Sequence, residues 1–135
     1  MAHWLIKTEP SVYSYDDLAR AKRAVWDGVS NPAALKNIRA ISKGDELFFY
    51  HTGDEKQIVG VAKALTGSYP DPKAKDGKLV VFDLSAVKKL SRPVTLAEIK
   101  ARKEFAEWEL VRQARLSVMP VPDKMWNAIL KMAGE

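Results

Sequence analysis

Four short segments of the sequence combine aromatic, charged and amide side chains that could serve molecular recognition. The first, residues 4–10 (WLIKTEP), is typical of a strand that delivers three polar side chains just before a proline ends its pairing. Polar groups at the end of a strand face a rim or pocket more often than a core. The candidates for binding in this segment are Trp4, Lys7, Thr8, Glu9 and Pro10.

The other three segments carry comparable chemistry. Residues 25–31 (VWDGVSN) place an indole, a carboxylate and a glycine in a tight connection between two predicted helices. Residues 48–51 (FFYH) end a strand with a tyrosine and a histidine, and residues 112–117 (RQARLS) set two guanidinium groups and an amide before the last predicted strand. Ordinary structural explanations compete at each place, because tryptophan packs in cores, single histidines are often structural, and arginines are often solvated.

Signatures of common enzymes are absent from the sequence. It has no G-x-x-x-x-G-K-[ST] phosphate loop, no G-x-G-x-x-G fingerprint and no G-x-S-x-G nucleophile elbow. With two histidines and no cysteine, no local spacing suggests a metal site. The adjacent acids at 16–17 and 54–55 stand at a predicted helix start and a turn, where capping and solvation explain them. We therefore expect a non-enzymatic protein with no catalytic residues, no metal and no cofactor.

The charge balance indicates an anionic partner. Lys and Arg number 22 against 17 Asp and Glu, for a net charge of +5, and nucleic acid is the commonest partner of a basic protein. The length of 135 residues predicts one domain spanning residues 1–135. No segment approaches the roughly twenty apolar residues that cross a bilayer, and no signal peptide is visible. Because no cysteine is present for disulfides, we expect a cytoplasmic protein without membrane contact.

Two helices and three strands are predicted in the first half of the chain. Residues 4–7 form the first strand, and the capping-box pattern of Ser14 and Asp17 opens a helix to about residue 23. Asn31 followed by a proline predicts the start of a second helix, which ends near residue 41. Two strands at 46–52 and 57–65 then form a hairpin.

Strands and helices also follow one another in the second half of the chain, which predicts an α+β fold with a curled, mostly antiparallel sheet. Pro120 keeps the last strand at an edge or bulge. The predicted elements are loops at 69–73 and 75–78, a long strand at 79–90, a capped helix from 95 that continues or restarts through 111, a strand at 116–121 and an amphipathic helix at 123–133.

Taken in order, the motifs WLIKTEP, YSYDDL, WDGVSNPAALKNIRAI, GDELFFYHTG, IVGVAKA, YPDP and RLSVMPV resemble the EVE domain family over nearly the whole chain. The resemblance implies a PUA-like fold, a small β-barrel with peripheral helices that is related to the YTH and ASCH domains. It also implies nucleic-acid binding through a pocket for modified bases, notably 5-modified cytosine in DNA.

The same resemblance carries site residues onto matching positions of this sequence. The candidates lining the pocket are Trp4, Lys7, Thr8, Glu9, Pro10, Trp26, Asp27, Gly28, Val29, Asn31, Tyr50, His51, Gln113, Arg115, Leu116 and Ser117. This chain departs from the family pattern at Ser30, where an arginine is usual, and in a shorter loop at 69–79. Both departures bear on contacts with the strand or its phosphates more than on the pocket.

A base whose modification is read must leave the stack, at a cost of a few kcal/mol. An aromatic face recovers roughly 1–3 kcal/mol per stacked base, and the candidates for it are Trp26 and either Trp4 or Tyr50. A carboxylate accepts from the exocyclic amine of cytosine, so either Asp27 or Glu9 is expected to read that edge.

Three further roles complete this hypothesis. Backbone amides around Gly28 can meet the base carbonyl, since glycine permits close approach. Apolar contact with a 5-methyl group falls to Val29 or Leu116. Phosphates would be held, without regard to sequence, by Lys7, Arg112 and Arg115.

Three alternatives remain open. The first is an RNA-binding PUA-like module for a modified ribonucleotide, which the 2′-hydroxyl would distinguish. The second is a hydrolase that uses His51 with Asp27 or Ser117 as base and nucleophile. The third is a domain that binds a small molecule or a protein through the same pocket.

Overall fold

A computed structural model describes residues 2–74 and 77–135, in which strands and helices alternate as predicted. Lys75 and Asp76, which belong to the predicted loop at 75–78, lie outside the described residues. The strands are His3–Thr8 (β1), Ala24–Trp26 (β2), Glu46–His51 (β3), Gln57–Ala64 (β4), Tyr69–Pro70 (β5), Val80–Thr95 (β6) and Val118–Pro120 (β7). The α-helices are Tyr15–Ala21 (α1), Pro32–Ala40 (α2), Leu96–Lys100 (α3), Glu109–Arg112 (α4) and Asp123–Met132 (α5).

Local capping determines where three helices begin, as the sequence predicts. The Ser14 hydroxyl accepts from the Asp17 amide at 3.1 Å, and the Asp17 carboxylate accepts from the Ser14 amide at 2.8 Å. Thr95 and Glu98 form a second reciprocal pair at the start of α3. The Asn31 carboxamide oxygen accepts from two first-turn amides of α2. These contacts satisfy amides that a helix start leaves unpaired, and all three predicted starts are confirmed.

The strands form one sheet in the order β2-β6-β4-β3-β1-β7, with β5 paired to β6. The predicted hairpin of β3 and β4 is confirmed as an antiparallel pair. Among the described strands, β1 and β3 are the one parallel pair, and the other pairs are antiparallel. The sheet is therefore curled and mostly antiparallel.

The predicted barrel does not close, and the sheet is better described as a curled half-barrel. Strands β2 and β7 end the strand order, and no pairing joins them over residues 2–74 and 77–135. Each of these two strands is three residues long, and Pro120 in β7 has no amide proton to donate. Because β2 and β7 are short, they offer few backbone groups for pairing with each other, and the half-barrel stays open between them.

Three strands differ from the prediction. β2 lies where the sequence predicted only a connection between helices, and the first two residues of the predicted loop at 69–73 form β5. β6 runs on to Thr95 and contains Pro93. That proline is tolerated because it lies in an irregular stretch between the pairs Gly60–Lys89 and Ile58–Val94, where the ladder is interrupted.

The helices of the second half stop and restart rather than continue. After α3 there is one 3₁₀ turn at Lys103–Phe105, and then α4. The last helix packs its apolar face on the sheet, with Trp126 stacked on Phe48 at a centroid distance of 3.8 Å. Within the described part of the chain, no helix has the length and apolar character needed to span a membrane.

Candidate nucleic-acid interface

A cleft of about 580 Å³ lies at the open edge of the half-barrel. This volume falls within the range of about 300–1,000 Å³ typical of small-molecule sites. Its walls come from the ends of β1 and β2, the loop after each of these strands, and the residue before β7. The lining residues are Lys7, Thr8, Val12, Tyr13, Ala24, Val25, Trp26, Asp27, Gly28, Val29, Ser30, Asn31 and Ser117.

One wall of the cleft is fixed by the end of β1. The Lys7 amide donates to the Ser117 carbonyl at 2.9 Å, which joins β1 to the chain entering β7. The Thr8 hydroxyl donates to the Tyr13 carbonyl at 3.0 Å. The following turn, residues 9–13, is closed by amides of Val12 and Tyr13 that both donate to the Glu9 carbonyl at 2.9 Å. The turn that leaves β1 is therefore held by several hydrogen bonds.

The opposite wall is formed by β2 and the loop leading to α2. Trp26 is the last residue of β2, and the chain turns at Gly28 with a φ of +76°, which favours glycine. A Cβ at Gly28 would meet no atom within 4 Å, so the backbone conformation rather than crowding explains this glycine. Asn31 ends the loop by capping α2.

Trp26 is packed from behind by other rings. The Phe49 ring lies 5.5 Å from the indole and the Tyr13 ring 6.5 Å, both close to perpendicular, so neither stacks on it. Trp26 as a whole residue is 8% exposed. It also lines the cleft, so a closely packed tryptophan forms part of the cleft wall.

Several polar groups around the cleft have capacity for a ligand. The Lys7 ammonium donates to the Ala114 carbonyl at 3.1 Å, and burial lowers the pKa of Lys7 from its ordinary value. Asp27 is exposed, and its carboxylate has no hydrogen-bond partner among the described residues. The Tyr13 hydroxyl has no hydrogen-bond partner among the described residues, but its oxygen is buried and does not face the cleft. The cleft therefore combines an apolar wall with one unpaired acid and one cation.

A second, smaller groove of about 240 Å³ adjoins the cleft through Asn31. Its lining includes four of the predicted site residues and consists of Asn31, Ala33, Gln113, Ala114, Arg115 and Leu116. Arg115 is exposed, and no described acid pairs with it. The guanidinium is therefore available to a phosphate beside the cleft.

Strands β2 and β5 are held against β6 by a polar cluster around Asp83. Asp83 pairs with Val25 in the sheet, and its carboxylate accepts from Tyr69 and from Arg23. The Tyr69 hydrogen bond and the Arg23 guanidinium hold the pKa of Asp83 below its ordinary value. This cluster fixes the register of the strand that carries Trp26.

Two of the predicted aromatic residues are core residues instead. The Trp4 indole is buried and donates to the Asp45 carboxylate at 2.9 Å, which also accepts from the Ser42 amide at 2.9 Å. Tyr50 is buried as well, with the Lys7 ammonium 5.6 Å from its ring centre. Neither residue lines the cleft. The expected pair of facing aromatic walls is therefore not formed, and Trp26 provides the aromatic wall.

Both ring nitrogens of His51 contact other residues of the protein. Its Nε2 accepts from the Tyr15 amide at 3.0 Å, and its Nδ1 contacts the Glu55 carboxylate at 2.9 Å. The hydrogen bond with His51 lowers the pKa of Glu55. His51 lines a different cleft from Asp27 and Ser117, so it is brought together with neither residue, as the hydrolase alternative would require. Within residues 2–74 and 77–135, no three acidic or histidine side chains group as metal ligands.

The remaining predicted residues also lie outside the cleft. The Glu9 carboxylate approaches the turn at Gly53 and contacts the Ser11 hydroxyl at 3.4 Å. Pro10 lines the separate cleft that also contains His51. Arg112 forms an ion pair with Glu107 on the surface. The structure thus brings together Lys7, Thr8, Trp26, Asp27, Gly28, Val29, Asn31 and Ser117 of the predicted set, with Gln113, Arg115 and Leu116 in the adjoining groove.

Five cleft residues were not among the predicted candidates: Val12, Tyr13, Ala24, Val25 and Ser30. Val12 and Tyr13 lie between the end of β1 and the start of α1. An apolar valine in a polar turn that enters a helix was the available sequence signal. Val25 and Ser30 border predicted residues, and Ala24 directly precedes Val25.

Fold and cleft together define an α+β half-barrel protein with an aromatic-walled cleft at its open edge. The chain belongs to the EVE family, because the EVE domain model matches residues 2–132. This confirms the resemblance inferred from the motifs.

Individual relatives extend this comparison. Human thymocyte nuclear protein 1 is 29% identical to this chain over 97% of the chain and 73% of its own length. A crystal structure of that human protein in complex with 5-methylcytosine-containing DNA has a TM-score of 0.89 at 28% identity, covering 100% of this chain and 99% of that one. An NMR structure of a Rhodopseudomonas palustris protein has a TM-score of 0.94 at 42% identity, covering 99% of this chain and 94% of that one.

Proposed function

We propose that this protein is a non-enzymatic nucleic-acid-binding module that takes a single extruded base, a 5-modified cytosine of DNA, into the Trp26 cleft. The observation that carries the proposal is the similarity of the whole chain to a human protein whose crystal structure is a complex with 5-methylcytosine-containing DNA. The cleft supports it, because an apolar wall and a free carboxylate meet at the open edge of the sheet. The net charge of +5 favours an anionic partner.

In this proposal, Trp26 provides the surface against which the base packs. Phe49 and Tyr13 hold the indole from its sides, so it loses little freedom when a base arrives. An aromatic contact of this kind contributes roughly 1–3 kcal/mol per base. That gain offsets the few kcal/mol needed to take a base from the stack.

The edge of the base is read by the loop that follows β2. The Asp27 carboxylate accepts from the exocyclic amine of cytosine, which is a hydrogen-bond donor. The amides around Gly28 donate to the base carbonyl, and the half-buried Val29 provides the apolar contact for a 5-methyl group. Leu116 is assigned no such contact, because it is buried in the adjoining groove.

Phosphates flanking the base are assigned to Arg115 and Lys7. Arg115 provides the exposed guanidinium that lines the adjoining groove, and Lys7 supplies a second positive charge from the cleft lining. Arg112 takes a smaller role because Glu107 already neutralises it. Such contacts set affinity and its salt dependence without selecting sequence.

A binding panel tests the proposal directly. We expect DNA oligonucleotides with one central 5-methyl- or 5-hydroxymethylcytosine to bind more tightly than the same DNA with cytosine, as measured by fluorescence anisotropy at fixed salt. RNA of the same sequence with 5-methylcytidine is the comparison that isolates the 2′-hydroxyl. Equal affinity for all cytosines would refute base readout, and tighter binding of RNA would favour the alternative of an RNA-binding module.

Arg115→Ala should weaken every oligonucleotide in the panel to the same degree. Loss of one phosphate contact reduces the slope of log affinity against log salt by about 0.7–0.9. Lys131→Ala is the matched control, since it removes one exposed positive charge on α5 from a position that lines neither groove. If Arg115→Ala instead weakened only the modified oligonucleotide, the residue would be a base-reading group rather than a phosphate ligand.

A further inference from the structure

An exposed apolar side chain stands at the mouth of the cleft. Val12, Val25 and Val87 are the large apolar residues that are strongly exposed among those described, at 79%, 48% and 50%. Two of these three, Val12 and Val25, line the Trp26 cleft. Single exposed apolar residues need no explanation, but their concentration at one cleft indicates a surface that a ligand covers.

The backbone presents Val12 rigidly. Its amide and that of Tyr13 both donate to the Glu9 carbonyl at 2.9 Å, and the Thr8 hydroxyl holds the Tyr13 carbonyl. Immediately afterwards, α1 begins at a complete capping box. A turn fixed on both sides keeps Val12 in place, although the residue is 79% exposed.

The side chain itself suits insertion between bases. Valine is branched at Cβ and has few rotamers, so little freedom is lost when it is buried. Proteins that distort a duplex commonly place an apolar wedge between base steps. Removing one base from a duplex opens such a gap beside the base that enters the protein.

We propose that Val12 enters the base stack where the extruded base has left, and that it thereby favours duplex DNA over single strands. This inference rests on the proposed function, because it assigns Val12 a part in loading the same cleft. Trp26 and Asp27 contact the extruded base, whereas Val12 contacts the bases that remain in the duplex. The two roles are separable, because a single strand has no stacked gap to fill.

The test compares Val12→Ser with Val12→Leu on one oligonucleotide sequence containing 5-methylcytosine, as a duplex and as a single strand. We expect Val12→Ser to weaken duplex binding about tenfold while changing single-strand binding by less than about twofold. Val12→Leu keeps an apolar wedge and should retain duplex binding. Val87→Ser is the matched control, because it removes an exposed valine of β6 that does not line the cleft.

A spectroscopic measurement reports insertion itself. A 2-aminopurine placed next to the methylated cytosine should brighten when the wild-type protein binds the duplex, and less so with Val12→Ser. Equal weakening of duplex and single strand, or unchanged duplex binding and fluorescence, would overturn the role of Val12. Failure of the wild type to bind either oligonucleotide would instead overturn the proposed function.

Discussion

Replacing Trp26 with leucine should remove the preference for modified cytosine, so that the affinities for modified and unmodified DNA become equal within error. Leucine keeps an apolar side chain in the wall but has no π-face. The lost contact is roughly 1–3 kcal/mol, which corresponds to about a 5- to 150-fold weaker binding of the modified oligonucleotide. Anisotropy titrations of the paired oligonucleotides measure both the loss and the ratio.

A stability control is needed because Trp26 is also a packed residue. It is 8% exposed and contacts Phe49, so its replacement lowers the free energy of unfolding by a few kcal/mol. Trp126→Leu is the matched variant, since Trp126 is 5% exposed and stacks on Phe48 beneath α5, away from the cleft. Both variants should lose stability, and Trp26→Leu alone should lose the preference. A folded Trp26→Leu protein that still prefers the modified base would exclude the indole as the reading surface.

The contrast between Trp4 and Trp26 shows where sequence reasoning reaches its limit. Trp4 stands in a predicted strand and is followed by two apolar residues, whereas Trp26 stands in a predicted connection between helices, and neither local pattern tells whether the indole lies in the core or in a cleft. What separates them is Asp45, which is 41 residues from Trp4 in sequence and accepts the indole hydrogen bond in the core. No local pattern encodes a partner at that separation, so the sequence predicted two aromatic walls where the structure has one.

Short-range signals were far more reliable. The capping residues Ser14, Asn31 and Thr95 all cap the predicted helices, because a cap is formed by residues within one turn of each other. The strand β2 was missed since three residues carry too little pattern, and it exists through pairing with β6 some 60 residues later. The open edge of the half-barrel follows from that same short strand, and with it the position of the cleft.

Local sequence signals also explain why only part of the candidate site could be predicted. The sequence neighbourhood and the family motif group residues 26–29 with Asn31, and in the structure all of them line the same cleft. The position of His51 at a strand end predicts a binding residue, yet the amide of Tyr15 and the carboxylate of Glu55 contact its two ring nitrogens. A strand terminus indicates a pocket but does not specify which of several clefts the side chain enters.

The second large effect is expected behind the cleft, at Gly60. This buried glycine of β4 lies opposite Phe49 in the sheet, and the Tyr15 ring rests directly on it. A Cβ at Gly60 would lie 2.5 Å from Cε1 and 2.6 Å from Cζ of Tyr15. The strand therefore needs a residue without a side chain at this position.

Tyr15 has little room to move away from such a Cβ. Its hydroxyl donates to the Val61 carbonyl at 2.8 Å, and its amide donates to His51. Burial raises the pKa of the Tyr15 hydroxyl from its ordinary value of 10.0 to about 12, so it remains a donor even in alkaline solution. Because both the hydroxyl and the backbone amide of Tyr15 are hydrogen-bonded, the overlap would displace neighbouring rings. Phe49 is one such neighbour, with 5.3 Å between the ring centroids.

Gly60→Ala should therefore lower the free energy of unfolding by about 3 kcal/mol, the upper part of the range for overpacked cores. Gly67→Ala is the matched control: its Cβ would meet only the Ile41 carbonyl oxygen, at 3.6 Å, and we expect a change within about 0.5 kcal/mol. Urea unfolding followed by circular dichroism measures both. Equal stability of the two variants would mean that Tyr15 can yield, and that the packing from Gly60 through Phe49 to Trp26 is looser than these distances imply.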